Sequence, residues 1–112
     1  MHELGITRNI VAIVLEAAKG ERVTRIALEV GKLAGVMADA VVFCFDVVAK
    51  DTPLEGAKLD VIEIPGLFRC RRCDREFAVD RLLGACPCGS RDTQLVRGDE
   101  LMIKAIDIEE AA

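Results

Sequence analysis

The sequence predicts an α+β fold: a three-stranded sheet with two helices on one face, plus an inserted four-cysteine lobe resembling a zinc ribbon. Three observations carry this prediction. Helical and strand periodicities alternate along residues 4–64. A further strand pattern returns at 100–108. Between the two the composition shifts abruptly, for residues 67–92 hold four of the five cysteines and six arginines. The expected organisation is therefore one α/β domain made of 1–66 and 93–112, interrupted by a metal-binding domain at 67–92.

Each element has its own justification. Residues 4–19, LGITRNIVAIVLEAAK, place Ile6, Ile10, Val14 and Ala17 on one helical face with Ile13 beside them, and Gly20 is a stop signal. Residues 22–30 alternate Ile26, Leu28 and Val30 against Arg25, Ala27 and Glu29, a strand with one buried face. Gly31 and Gly35 bracket a turn. Residues 38–50 read as a second helix, with Asp39 near its start where an N-cap oxygen is favourable, and Asp51-Thr52-Pro53 ends it. Residues 58–64, KLDVIEI, form a strand whose phase switches between Val61 and Ile62, which leaves room for a bulge. Pro65-Gly66 breaks the chain, and with Arg97-Gly98 it offers a flexing point on either side of the insert. The strand at 100–108, ELMIKAIDI, has ambiguous phase.

Composition narrows the function. Of 112 residues, 52% are hydrophobic, enough for a compact core. No apolar run is long enough to span a membrane, and no secretion signal is visible, so a cytoplasmic protein is expected. The formal net charge of −4, with four Phe and no Tyr or Trp, disfavours a nucleic-acid coat or a base-stacking platform.

The cysteines are spaced Cys70-x2-Cys73-x12-Cys86-x-Cys88. Two close pairs separated by a dozen residues, in a chain with an odd cysteine count and no export signal, read as a metal site and not as a disulfide framework. Four thiolates close a tetrahedron around Zn(II), which makes the site structural and leaves no position for a reacting water. Iron held by four thiolates is the competitor. The apolar residues of 67–92 are too few to fold without a metal. The second pair is short by one residue, which makes its turn tighter than that of Cys70 and Cys73. Arg69, Arg71, Arg72 and Arg75 flank the first pair, where they offset the thiolate charge; a docking patch for an acidic partner is the alternative. Cys44 is read as a small core residue.

The lone histidine is His2. The Met1 amine, the His2 amide nitrogen and the His2 imidazole can wrap one face of Ni(II) or Cu(II) in fused chelate rings, and nitrogen donors in a tetragonal plane suit those ions. Glu3 adds an oxygen donor. Met1 is expected to stay, because the enzyme that trims initiator methionine favours a small second residue.

Together, MHE at the N-terminus, LEVGKLAGV at 28–36, FCFD at 43–46, the cysteine pairs at 70–88 and GDEL at 98–101 resemble the HypA/HybF family of hydrogenase nickel-incorporation accessory proteins. The resemblance covers essentially the whole chain. It implies a nickel metallochaperone, not an enzyme, which carries Ni(II) as cargo on His2 and Glu3 and structural Zn(II) on Cys70, Cys73, Cys86 and Cys88. It further implies as partners a hydrogenase-maturation GTPase, the [NiFe]-hydrogenase large subunit and, in some organisms, the urease accessory machinery. The family often links nickel to an acidic residue after the Gly-Val pair; here Asp39 is the nearest such residue, displaced, and equally well read as a helix cap. The alternative readings are a zinc-ribbon nucleic-acid or transcription module, which acidity and aromatic scarcity oppose, and a zinc hydrolase or deaminase, which needs an open coordination position.

Overall fold

The computed structural model describes residues 2–79 and 85–109. Its elements are α1 (Glu3–Ala18), β1 (Val23–Gly31), α2 (Ala38–Val48), β2 (Lys58–Ile64), β3 (Gly66–Cys70), β4 (Glu76–Val79), β5 (Thr93–Arg97) and β6 (Leu101–Ile108). They build two three-stranded sheets, ordered β2-β1-β6 and β4-β3-β5. The first carries both helices.

β1 is the central strand of the first sheet, parallel to β2 and antiparallel to β6. Parallel neighbours cannot be joined by a tight turn, so α2 serves as the crossover between β1 and β2. Ile26, Leu28 and Val30 from β1 meet Ile10, Val11 and Val14 from α1 and Val41 and Phe45 from α2 in one core, with Leu59, Val61, Ile103 and Ile106 packed against it. The opposite face bears Arg25, whose Nε lies 2.5 Å from Asp60.

Three sequence expectations change here. The first is the buried stripe of α1, which consists of Glu3, Thr7, Ile10, Val11, Val14 and Ala18. Ile13 is 57% exposed and Ala17 also faces out. Apolar periodicity misplaced the stripe because two polar residues belong to it, satisfied by hydrogen bonds described below. The second concerns β2. No bulge interrupts it, since its register with β1 is continuous from Arg25↔Lys58 to Gly31↔Ile64. The apparent phase switch arises because Ile62 is an apolar residue on the open face, 43% exposed. The irregularities lie between β1 and β6, with shifts at Val23/Arg25 and Ala27/Leu28. The second shift leaves Lys104 as an extra residue, which lets Ile103 and Ile106, three apart, both reach the core and explains the ambiguous phase.

The third concerns α2. Its N-cap position is Met37, with no capping side chain, and Asp39 sits inside the first turn, so Asp39 is not the cap. The helix stops at Val48, short of residue 50; the Thr52 hydroxyl then donates to the Ala49 carbonyl at 2.6 Å and closes the turn.

The second sheet was not legible as strands. β3 pairs antiparallel with β4 and with β5, and the Phe68 and Phe77 rings stack with centroids 6.2 Å apart. The connectors between the sheets are tightly held, contrary to their reading as flexing points. The Lys32 amide donates to Ile64 O at 2.9 Å and the Leu33 amide to Gly98 O at 2.6 Å, so one strap after β1 holds both connectors. The Gly98 amide donates to Glu100 Oε1 at 2.8 Å, and the Gly31 amide to Glu100 O at 2.7 Å. A Cβ on Gly31 would lie 2.0 Å from Gly98 O, and one on Gly98, where φ is +118°, would lie 2.5 Å from Gly66 Cα. The GDEL segment is thus a junction motif. Gly31→Ala is expected to destabilise the protein by roughly 3 kcal/mol or more, since backbone must move to admit the methyl. Denaturant unfolding against a control such as Gly5→Ala, where nothing lies within 4 Å, checks this.

Candidate metal centres

The cysteine cluster is assembled by two turns. β3 ends at Cys70, whose amide donates to Arg75 O at 2.8 Å, while the Asp74 amide returns to Cys70 O at 2.9 Å with Asp74 in a left-handed conformation (φ 62°). In the second turn the Cys86 amide donates to Ser90 O at 2.9 Å and the Gly89 amide to Cys86 O at 2.7 Å. Gly89 has φ 95°, a value glycine adopts without strain.

All four sulfurs lie within 4.8 Å of one another. Cys70 and Cys88 Sγ are 3.7 Å apart, and Cys73 and Cys86 Sγ 3.5 Å. A tetrahedron with Zn–S bonds of ~2.3 Å has edges of roughly 3.8 Å. The donor set therefore fits Zn(II), and the shortened second turn still brings both Cys86 and Cys88 inward. Cys70 and Cys86 are buried, and Cys73 and Cys88 exposed.

The electrostatics agree with a cation-requiring cluster. The Cys73 amide donates to the Cys70 sulfur at 3.5 Å and holds that thiol well below its usual value, at about 6. At Cys86 the Cys88 amide also favours the thiolate, but burial and the neighbouring cysteines outweigh it and push the thiol up to about 12. Thiolates this crowded cannot all ionise together unless a metal displaces the protons. The flanking arginines are partly engaged elsewhere: Arg69 pairs with Glu76 at 2.9 Å and Arg71 with Asp92 at 3.2 Å.

The N-terminal residues are placed differently. His2 is exposed at the N-cap of α1, without a side-chain capping bond, and its carbonyl accepts the Ile6 amide at 2.9 Å. The first amides of a helix have no intrahelical acceptor, so the His2 amide nitrogen is not committed to the helix ladder. Glu3, by contrast, is only 7% exposed, and its Oε2 accepts the Met37 amide at 3.1 Å. Its carbonyl accepts the Thr7 hydroxyl at 2.6 Å. Asp39 is exposed in the first turn of α2 and, with Lys32, Met37 and Glu63, lines a hollow of about 410 Å³. Among the described residues, the four cysteines are the one group of three or more His, Cys, Asp or Glu side chains close enough to share an ion. His2, Glu3 and Asp39 are not gathered in that way. The Glu3–Met37 contact joins residues 34 apart and left no signal in the sequence.

The terminal ammonium, followed by the Met37 amide, draws the Glu3 carboxyl down from 4.5 to about 2. A carboxyl depressed on folding adds stability above its unfolded value and loses it as pH falls through the folded one. Wild type should therefore lose more stability than Glu3→Gln as pH falls from about 4.5 to 2, measured by denaturant midpoints at each pH.

Comparison with known proteins agrees over the full length. A family model described as hydrogenase/urease nickel incorporation, metallochaperone, HypA, matches residues 1–108. A hydrogenase maturation factor HypA from a Nostoc species is 56% identical over 110 residues, covering 98% of this chain and 97% of the relative. Another, from Geotalea uraniireducens, is 42% identical over 110 residues, covering 97% and 100%. The solution structure of the Ni metallochaperone HypA from Helicobacter pylori has the same fold, with a TM-score of 0.66 at 20% identity over 96% of this chain and 97% of that one. A second HypA solution structure gives 0.70 at 21% identity, covering 97% of each. The nucleic-acid alternative is not favoured, and the chain is a carrier, not a catalyst. With its cysteine cluster and full-length match, the chain belongs to the HypA family of nickel metallochaperones that serve hydrogenase maturation.

Proposed function

We propose that this chain takes up Ni(II) as cargo at its extreme N-terminus, on the Met1 amine, the His2 amide and the His2 imidazole, with residue 3 beside them. The observation that carries this is the exposure of His2 at a helix start whose first amides have no intrahelical acceptors. Such a site is suited to release. The positive end of a helix disfavours a cation, so binding rests on the chelate rings alone, and a receiving protein can displace the nitrogens one at a time. Zn(II) on Cys70, Cys73, Cys86 and Cys88 is the structural counterpart, in an inserted unit read as 67–92 between the nickel-binding segments 1–66 and 93–112.

Hydrogenase-related proteins are the partners that the family indicates. Within that class we assign the maturation GTPase and the [NiFe]-hydrogenase large subunit, with the urease machinery as a further recipient. The setting is the cytoplasm; no helix among the described residues is long and apolar enough to cross a membrane. The test is nickel titration of the native chain against a chain with residues added before Met1. Extension removes the terminal amine and displaces the imidazole from the fused-ring position, so affinity should fall by roughly tenfold or more. Equal affinity would show that the amine is not a donor.

A further inference from the structure

We propose that the inserted cysteine unit presents an arginine surface, formed by Arg72, Arg75 and Arg91, that docks an acidic segment of a partner protein. The inference rests on the reading of the chain as a carrier that meets other proteins, and not on where nickel binds.

Charge is divided unevenly along the chain. Residues 66–97 hold seven arginines, no lysine and four acidic residues, a net of +3. The remaining residues hold eight cations and fifteen acids, a net of −7. Four thiolates around Zn(II) bring about −2 to the inserted unit and still leave it positive. Within it, Arg69 is occupied by Asp74 and Glu76, and Arg71 by Asp92. Arg72, Arg75 and Arg91 are exposed and take part in no ion pair or side-chain hydrogen bond among the described residues. Nor do they serve the sulfurs by contact. The Cys73 amide donates to Cys70 Sγ and the Cys88 amide to Cys86 Sγ, each at 3.5 Å, and no guanidinium bonds a sulfur among the described residues. The fold instead fixes where these arginines stand. Arg72 lies in the first cysteine turn, and Arg75 follows it, its carbonyl accepting the Cys70 amide at 2.8 Å. Arg91 comes directly after Ser90, whose carbonyl accepts the Cys86 amide at 2.9 Å. The sulfurs bring the two turns together, all lying within 4.8 Å. Guanidinium groups suit carboxylates, which they bind through two parallel N–H bonds. A nucleic acid fits less well, because the rest of the chain is acidic and would repel a long phosphate backbone. The two rings of this unit, Phe68 and Phe77, pack on each other with Phe68 buried, and offer a base no open platform.

The experiment measures binding of a labelled oligoglutamate peptide, and of an oligonucleotide of equal charge, to the zinc-loaded full chain at low and physiological salt. The chains are wild type, the triple variant Arg72→Ser, Arg75→Ser, Arg91→Ser, and a control of equal charge change, Lys19→Ser, Lys50→Ser, Lys104→Ser, outside the inserted unit. Zinc content, nickel affinity and sedimentation are recorded for each. Wild type should bind the peptide, the arginine variant about tenfold more weakly, and the control within about threefold of wild type. Binding should weaken as salt rises. The arginine variant should keep stoichiometric zinc and wild-type nickel affinity. The docking surface is overturned if wild type does not bind the peptide, if the two triple variants lose equally, or if the oligonucleotide binds more tightly than the peptide. Loss of zinc in the arginine variant overturns it too, by showing that these side chains serve the cluster. Self-association that the arginine variant abolishes would overturn the choice of partner and make the acidic part of a second copy the occupant. A wild-type chain that binds the peptide but no nickel contradicts the N-terminal cargo site and leaves this surface standing.

Discussion

Replacing Cys70 or Cys73 with serine is expected to abolish stoichiometric zinc and unfold the β4-β3-β5 sheet while the helix-bearing sheet stays folded. The reason is the size of the apolar core on that side. Its buried hydrophobic residues among those described are Phe68, Cys70 and Cys86, and two of the three are metal donors. Three strands of four or five residues cannot offset their own backbone entropy with one buried ring. A structural zinc supplies on the order of 10 kcal/mol or more to such a unit. Cys70 is the worst position to lose, since it ends β3, is fully buried and anchors the turn through the Arg75 carbonyl. Elemental analysis should find zinc well below stoichiometry in either variant. Amide spectra should show collapse of signals from 66–79 and 85–97 with those of β1 and α1 retained. Full zinc retention in both variants would mean that the cluster is not the ligand set.

His2→Ala should abolish hydrogenase maturation at limiting nickel while leaving zinc content and thermal unfolding unchanged. Residue 2 precedes α1, is exposed, and donates no side-chain cap, so its imidazole contributes nothing visible to the fold. Losing a direct donor should cost at least as much as losing an outer-sphere partner, about tenfold to a hundredfold in metal affinity. Excess nickel in the medium should partly restore activity, because mass action can replace a carrier but not a catalyst. A His2→Ala strain that matures hydrogenase normally at limiting nickel would contradict the proposed cargo site.

Much of this was legible in the residues, and the exceptions have physical causes. The main helices and strands followed from periodicity because Ile26, Leu28, Val30 and Val14 bury as their spacing requires. The cysteine cluster was legible because metal donors must cluster at fixed spacing whatever surrounds them. The stripe of α1 was misplaced because the contact that turns the helix joins Glu3 to Met37, and no local rule sees that far. Asp39 reads as a candidate cap of α2 for the same reason: the Met37 amide at the N-cap is met by Glu3 of another helix, which no local pattern shows. The strands of the second sheet leave little trace in apolar alternation because, among the described residues, they bury Phe68 and few other apolar side chains. Gly31 reads as a turn residue and Gly66 and Gly98 as flexing points, yet at all three a Cβ would meet neighbouring backbone at 2.6 Å or closer.

The measurement that tests the central claim most directly is native mass spectrometry of the intact chain at neutral pH with added Ni(II), beside His2→Ala. Wild type should carry zinc as purified and gain a single, weaker nickel, while His2→Ala keeps the zinc and gains none. Equal nickel uptake by both chains, or nickel that binds only by displacing zinc from the cysteines, would contradict a carrier with separate structural and cargo sites.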